Sequence, residues 1–290
     1  MGEQSCKADM GGDGAAVVDT CGYPVETTGN AVLDILEHRS STRAFARDDN
    51  DRPVAVTDEQ RAAILHATSR APSAGAMMMY SIVSIREQAR LERLADLCDH
   101  QPMIAKAPWA LIFVVDYAKW IDLFEHVGCF EPEFVERTGK SPRRAPGLGD
   151  FAIAAQDAVI AAQNAVVAAE GLGLGSCYIG DVIENAEEVA ALLDLPPYTM
   201  PLSMLIIGTP RKERPAIAHP VVNLVHEERY RRADTATMDA QVAEMDAMFR
   251  PHAREVGERV VDIYARKHTS PFMAEMSRSM EWWFKNWLGK

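Results

Sequence analysis

One long apolar stretch limits the possible folds of this chain more than any other segment. Residues 149–181 read GDFAIAAQDAVIAAQNAVVAAEGLGLGSCYIGD, which predicts one long helix, a glycine stop and a short strand. The helix is apolar over most of its circumference, so most of its sides must be covered. Its many alanines allow a neighbouring backbone to approach closely. This composition favours a central helix or a helix at a subunit interface.

The few polar side chains of this helix recur at a helical period and are predicted to line one stripe: Gln156, Asp157, Gln163, Asn164 and Glu170. Gly171, Gly173 and Gly175 are predicted to end the helix, because glycine takes the left-handed cap conformation without steric cost. SCYIG then reads as a buried strand end that could present backbone N–H groups to a ligand. The alternative interpretation is a core helix with an ordinary glycine cap.

Composition excludes several classes of partner. The chain has 290 residues, enough for one large domain with appendages or two small ones. Its net charge of −12 argues against nucleic acid or an anionic membrane as a general partner, so an anionic ligand needs a local basic site. Five widely spaced cysteines without a C-x-x-C pair predict neither a zinc site nor a disulfide framework. These features, with no secretory signal and polar pairs interrupting the long helix, predict a cytoplasmic protein without a membrane span.

A basic segment follows the first predicted helix. HRSSTRAF places Arg39, Ser40, Ser41, Thr42 and Arg43 next to one another at a helix end. Guanidinium groups with adjacent hydroxyls suit a phosphate group. The alternative is a solvated helix terminus, where arginine interacts favourably with the helix dipole.

A loop of small residues precedes a predicted strand. In APSAGA, Pro72, Ser73 and Gly75 predict a loop that leads into a strand at residues 82–85. Small side chains there would let the backbone approach a flat ligand closely. The alternative is an ordinary helix–strand connection.

The remaining elements are predicted from caps and apolar runs. Thr57 and Gln60 form a capping-box pattern at the start of a helix that ends before Pro72. The run at 107–116 predicts an interior strand that is buried on both faces. Further helices and strands are predicted at 87–99, 184–195 and 201–208. A basic cluster, TPRKERP, follows the last strand and contains Arg211, Lys212 and Arg214.

The C-terminal segment is predicted to be helical from Thr235 and carries a large aromatic surface near its end: Trp282, Trp283, Phe284 and Trp287. So much aromatic area must dock on this subunit or on another. Cys177 is interpreted as a buried strand residue rather than a redox thiol.

Taken together, the order RSSTRAF, APSAGA, GLGLGSCYIGD and TPRKERP resembles the nitroreductase-like FMN-dependent oxidoreductase family over roughly residues 30–230. In the family's basic motif, Ser40 stands where a second basic residue is usual. PSAGA lacks the asparagine and glutamine of the best-known branch and is closer to a branch that includes azoline-oxidising dehydrogenases. That difference concerns the substrate more than the cofactor.

The resemblance implies an α+β sandwich with a mostly antiparallel central sheet flanked by helices, in an intertwined homodimer. The implied division is a tail at 1–27, an FMN-binding domain at 28–232, and a helical extension at 233–290 that wraps the partner subunit.

The resemblance also implies an FMN site at the subunit interface and no metal. The residues expected at the phosphate are Arg39, Ser40, Ser41 and Arg43, with Arg211 or Arg214. The residues expected along the isoalloxazine from the other subunit are Pro72, Ser73, Ala74 and Gly75. The residues expected along the ring, with a backbone N–H near the flavin N5, are Tyr178, Ile179 and Gly180.

The implied activity is oxidation of NADH or NADPH through the flavin, with ping-pong transfer to a small acceptor such as a nitroaromatic or a quinone. Two alternatives remain open. One is a flavin-dependent dehydrogenase, dehalogenase or biosynthetic enzyme of the same fold. The other is a non-catalytic flavin-binding dimer.

Overall fold

The computed structural model describes residues 29–140, 144–212, 223–252 and 254–289. In this part of the chain the strands β1 to β4 span Tyr80–Ile85, Trp109–Asp116, Gly175–Ile179 and Thr199–Gly208. The helices α1 to α11 span Ala31–His38, Asp58–Ser69, Gln88–Leu97, Pro102–Ala105, Ala118–His126, Pro132–Thr138, Leu148–Gly171, Ala186–Leu193, Thr235–Phe249, Glu258–Ile263 and Pro271–Trp287. Short 3-10 turns lie at Ala74–Ala76 and Asp181–Ile183, and a π-helical turn at Tyr264–His268. The N-terminal tail and Arg214 lie outside the described residues.

The four strands form one sheet in the order β1-β2-β4-β3, and each neighbouring pair is antiparallel. The predicted interior strand is confirmed, since β2 lies between β1 and β4 and all of its residues are buried. The predicted α+β class with a mostly antiparallel sheet is also confirmed.

Helices cover both faces of this sheet. Because side chains alternate along a strand, β2 supplies two separate cores. On one face, the alanines of α7 pack over four β2 residues: Trp109, Leu111, Phe113 and Val115. On the other face, side chains of α3, α8 and α11 pack over Ala110, Ile112 and Val114. The predicted sandwich therefore has the long helix as one of its layers.

The capping box predicted for α2 is present. Gln60 N donates to Thr57 Oγ1 at 3.2 Å, and Thr57 N donates to Gln60 Oε1 at 3.1 Å. This helix packs along α7, where Asn164 Nδ2 donates to Ala67 O at 3.1 Å.

The glycine stop of α7 is only partly as predicted. Gly173 has a φ of +73° and takes the left-handed conformation. Gly171 is still helical, and Gly175 is the first residue of β3. The prediction that all three glycines act as caps is therefore wrong. One left-handed residue is enough to reverse the chain, and Gly175 serves the close packing described below.

By length and composition alone, α7 is also long and apolar enough to cross a membrane. In the fold, however, its alanine face packs on β2 and β4, and its Asp157 is buried. These contacts are those of a core helix.

The aromatic C-terminus docks on the same subunit. Trp283 and Trp287 are fully buried, and their indole nitrogens donate to Ile183 O at 2.9 Å and Gly147 O at 3.2 Å. Phe151 of α7 packs edge-on against Trp287 at a centroid distance of 5.2 Å. Of the two alternatives left open by the sequence, the aromatic side chains therefore dock on their own subunit. The wrapping of the extension around a partner stays a prediction.

A buried carboxyl group lies where the C-terminal extension meets the core. Glu184 is only 4% exposed, and its Oε1 has no hydrogen-bond partner among the described residues. Burial raises the pKa of Glu184 to about 7, and the carboxylates of Asp181, Asp99 and Glu275 act in the same direction. Lys267 opposes them.

This raised pKa predicts that the folded state becomes less stable as the pH rises and Glu184 ionises. In the unfolded chain Glu184 has its ordinary pKa of 4.5, whereas in the folded chain its pKa is about 7. The stabilisation that the protonated Glu184 carboxyl gives the fold is therefore complete below about pH 4.5. It is lost as the pH rises through 7. The Tm of Glu184→Gln, minus that of the wild type, should become more positive between pH 5 and pH 8 in thermal melts.

Glu187→Gln is the matched control. The Arg278 guanidinium lowers the pKa of Glu187, so wild-type stability from this group is present above its unfolded pKa and lost on acidification. Between pH 5 and pH 8 its Tm difference should therefore change little, because that loss occurs only at lower pH. Parallel trends for the two variants would contradict the role given to Glu184.

Candidate active site

The basic segment leaves α1 and runs along the edge of the sheet. Asn30 caps α1 by accepting from Val32 N at 3.0 Å, and the helix ends at His38. Ser41 then forms a parallel bridge with Ser176 of β3, and Thr42 N donates to Ser176 O at 2.8 Å. Ser41 and Thr42 thus lie beside β3, whereas Arg39 is the C-cap residue of α1.

Gly175 makes this close approach possible. A Cβ at that position would lie 2.1 Å from Thr42 Oγ1 and 2.6 Å from Thr42 Cβ. Thr42 is itself buried. Its hydroxyl therefore belongs to the packing, whereas Arg43 next to it is exposed.

The same segment also reaches the end of β4. Ala46 N donates to Thr209 O at 2.8 Å, and Arg211 N donates to Ala44 O at 3.0 Å. Buried Phe45 anchors this crossing. As a result, Arg43 and Arg211 come to one end of the sheet from distant parts of the sequence. Within the described residues, neither arginine forms an ion pair with an acidic side chain.

Arg39 lies close to two acidic groups, Tyr178 and Glu170, which are negatively charged when ionised. Burial raises the pKa of Tyr178 to about 12 and that of Glu170 to about 7, and the positive charge of Arg39 opposes both shifts. Tyr178 Oη donates to Gln163 Oε1 of α7 at 3.3 Å, with 38% of the residue exposed. Gly180 is exposed at the end of β3, and Ile179 is buried.

The APSAGA loop is held elsewhere on α7. Asp157 Oδ2 accepts from Ser73 Oγ at 2.7 Å, and Asp157 Oδ1 accepts from Ala74 N at 3.0 Å. Pro72, Ala74 and Gly75 are exposed. Small residues at the surface leave the backbone of this loop open to a ligand.

The two groups of predicted residues are therefore held at different positions on one helix. Asp157 and Gln163 are six residues apart, which corresponds to a rise of about 9 Å and a rotation of about 120° between their directions. One group, along β3, contains Arg39, Ser40, Ser41, Arg43, Tyr178, Ile179, Gly180 and Arg211. The other group is the loop from Pro72 to Gly75.

The sequence did not predict that Asp157 would hold this loop. It predicted only a polar stripe, and in fact Asp157 is buried, Asn164 is half-buried and Gln163 is exposed. The available signal was a carboxylate in the interior of an alanine-rich helix, about two turns after the N-terminal Asp150. A charge placed there needs donors from a neighbouring segment.

Comparison with known proteins identifies the family. A sequence model described as "Nitroreductase family" matches residues 36–209. The chain belongs to the nitroreductase family. Its curated relatives include "FMN reductase [NAD(P)H]" of Bacillus subtilis, which is 33% identical over 73% of this chain and 79% of the relative. "Oxygen-insensitive NADPH nitroreductase" of Salmonella typhimurium is 32% identical over 73% of this chain and 81% of the relative.

Solved structures of two proteins named as oxidoreductases have a similar fold. The hypothetical oxidoreductase YcnD from Bacillus subtilis aligns with a TM-score of 0.71 and 26% identity, covering 88% of this chain and 97% of that chain. The NADPH:FMN oxidoreductase from Vibrio harveyi, solved with NAD+, aligns with a TM-score of 0.66 and 25% identity, covering 86% and 97%.

The contact between Thr42 and Gly175 leads to a stability prediction. Gly175→Ala should lower the free energy of unfolding by about 1–3 kcal/mol, because the added methyl group overlaps Thr42. Gly149→Ala is the control. A Cβ on Gly149 meets nothing within 4 Å, so this substitution should not lower the free energy of unfolding. Urea denaturation measures both variants, and equal effects would refute the close approach at Gly175.

Proposed function

We propose that this chain is an FMN-dependent NAD(P)H oxidoreductase that passes reducing equivalents to a small organic acceptor such as a nitroaromatic or a quinone. One observation carries the proposal. Arg43 and Arg211 are brought to one end of the sheet, beside β3, by backbone hydrogen bonds in a chain whose net charge is −12. Relatives named as an FMN reductase and an NADPH nitroreductase support the same cofactor and donor.

The residues along β3 fit the phosphate of FMN. Arg43 and Arg211 are permanently charged donors, and the hydroxyls of Ser40 and Ser41 lie on the same segment. Arg39 adds a third guanidinium beside Tyr178. Because guanidinium forks match phosphate oxygens, these groups would anchor the phosphate end of the cofactor. Arg214 is the alternative to Arg211 in this role.

The ring end would lie between two copies of the chain. Residues 178–180 would run along one edge of the isoalloxazine, and the exposed loop from Pro72 to Gly75 of the partner would cover it. The arrangement on α7, with Asp157 and Gln163 pointing in different directions, supports a site that needs a second copy.

Exposed apolar side chains support the same homodimer. Ile153, Val159 and Ile160 of α7 are each 40–48% exposed, although this helix is among the most apolar segments of the chain. Val32 and Leu36 on the neighbouring α1 are also exposed. A second copy would cover this surface. Residues 28–232 form the FMN-binding domain in this proposal, and the extension at 233–290 wraps the partner.

When bound, FMN supplies hydride acceptance and donation at its N5 atom, so the reaction needs little acid–base chemistry from side chains. The protein's part is to bind and orient. The arginines would hold the phosphate, backbone N–H groups of residues 178–180 would lie near the ring, and Ala74 and Gly75 would leave one ring face approachable. A nicotinamide and an acceptor can then use that face in turn. A cytoplasmic location suits this use of NADH or NADPH.

An absorbance spectrum of the purified protein tests the proposal. We expect a flavin band between the near ultraviolet and 500 nm that bleaches on anaerobic addition of NADH or NADPH and returns with a quinone or nitroaromatic. Failure of the band to appear, even after FMN is added and the sample desalted, would refute the proposal. A band that nicotinamide does not bleach would favour a non-catalytic flavin-binding dimer. Bleaching without transfer to these acceptors would favour a dehydrogenase or dehalogenase of the same fold.

The phosphate assignment gives a second prediction. Arg43→Ala should weaken FMN binding about 10- to 150-fold, because a hydrogen bond to a charged group contributes about 1.5–3 kcal/mol. Quenching of flavin fluorescence measures the Kd. The Tm without FMN should change little, since Arg43 is exposed.

Arg47→Ala is the matched control for this variant. Arg47 lies on the same segment, but its guanidinium pairs with Asp51 at 2.8 Å. Its removal should leave the FMN Kd near the wild-type value. An unchanged Kd in Arg43→Ala would remove Arg43 from the phosphate site.

A further inference from the structure

The loop at residues 73–79 has an unusual backbone. Gly75, Ala76 and Met78 all have positive φ values, of 58°, 56° and 46°. For alanine and methionine this region is sterically unfavourable, and such residues keep it only where surrounding contacts hold them. The conformation therefore needs a specific cause in the neighbouring structure.

One carboxylate supplies the contacts that hold the loop. Asp157 accepts from Ser73 Oγ at 2.7 Å, from Ala74 N at 3.0 Å and from Met79 N at 3.2 Å. Ser73 Oγ in turn accepts from Met78 N at 2.6 Å. The carboxylate therefore holds both ends of the left-handed stretch. Through Ser73 it also holds Met78 indirectly.

The surroundings of Asp157 make this contact strong. Asp157 is only 2% exposed and lies on α7 between Ala154 and Ala158, both fully buried. Hydrogen bonds to an ionised acceptor away from water are stronger than those between neutral groups. A cation lies near: burial lowers the pKa of Lys119, and the negative charges of Asp116 and Asp157 oppose that shift.

The clamp determines what the loop presents outward. With Ser73 and Met79 tied inward to Asp157, Ala74, Gly75 and Ala76 are left exposed between them. Ala74 and Gly75 belong to the part of the loop assigned above to the flavin ring, and Ala76 follows them directly. Without the clamp, Ala76 and Met78 would relax toward negative φ, and the exposed surface would change shape.

We propose that Asp157 is the positioning residue that holds the loop in the conformation in which it covers the flavin ring. This inference rests on the proposed function. Asp157 contacts the loop and not the cofactor, so it acts through Ser73, Ala74 and Met79. The conformation of the flavin-facing surface therefore depends on a buried side chain of α7.

The test uses Asp157→Asn in the full chain. The amide keeps the size of the side chain but replaces one acceptor oxygen by a donor, which then faces N–H or O–H groups of the loop. Without FMN, amide hydrogen exchange at Ala74, Met78 and Met79 should become about tenfold faster, the equivalent of one hydrogen bond to a charged group. With FMN, the Kd should rise about tenfold, and the visible circular dichroism of the bound flavin should change.

Two further variants separate this role from a general loss of packing. Asn164→Ala removes a single hydrogen bond between α7 and Ala67 and should leave loop exchange and flavin dichroism as in the wild type. Ser73→Ala removes two bonds of the clamp from the loop side, the one to Asp157 and the one from Met78 N, without changing any residue of α7. It should shift the same readouts in the same direction as Asp157→Asn, so the inference stays testable if Asp157→Asn does not fold.

Each outcome decides between the two proposals. Unchanged loop exchange in the variants overturns the clamp. Faster exchange with unchanged FMN affinity and dichroism overturns the positioning role, although the proposed function stands because the wild type binds FMN. A wild type that takes up no FMN overturns the proposed function and this inference with it, and the exchange data then describe a structural clamp alone.

Discussion

The close packing of an alanine-rich helix against the sheet is the constraint on which the rest of the structure depends. The buried residues of α7 that face β2 and β4 are mostly alanines, so the helix backbone can lie close to the strands. Larger side chains at those positions would push the layers apart. The loop before β1 and Tyr178 of β3 are both held by hydrogen bonds to side chains of this helix.

Three polar side chains of α7 hold three different segments at separate positions along the helix. Asp157 holds the loop before β1, Asn164 holds α2, and Gln163 contacts Tyr178 of β3. Because the three side chains leave the helix at different heights and directions, no single copy gathers all their partners in one place. In the homodimer proposed above, two copies related by a twofold axis would do so, because each would contribute the part that the other lacks. The exposed apolar residues of α7 lie on the helix that would join them.

The fold could be predicted well from sequence, because its signals are local. An apolar run of strand length predicted β2, and Thr57 with Gln60 predicted the start of α2. The candidate site was only partly predictable. The arginines were recognised from their motif, but the backbone bond between Arg211 and Ala44 depends on how two distant segments pack. The function of Gly175 was misread because a glycine needed for close approach and a glycine needed for a left-handed turn look alike in sequence. Asp157 was noted as polar, yet its partners lie about 80 residues earlier in the chain.

An acidic chain that binds an anion must keep its own carboxylates from competing. Glu170, at the end of α7, lies close enough to Arg39 for their charges to interact. An ionised Glu170 and a phosphate would compete for the same guanidinium. Burial raises the pKa of Glu170 to about 7, so near neutral pH a substantial fraction of this group is uncharged. The positive charge of Arg39 then remains available to a ligand. The burial that packs the end of the helix thus also preserves the local positive potential that the overall charge of −12 opposes.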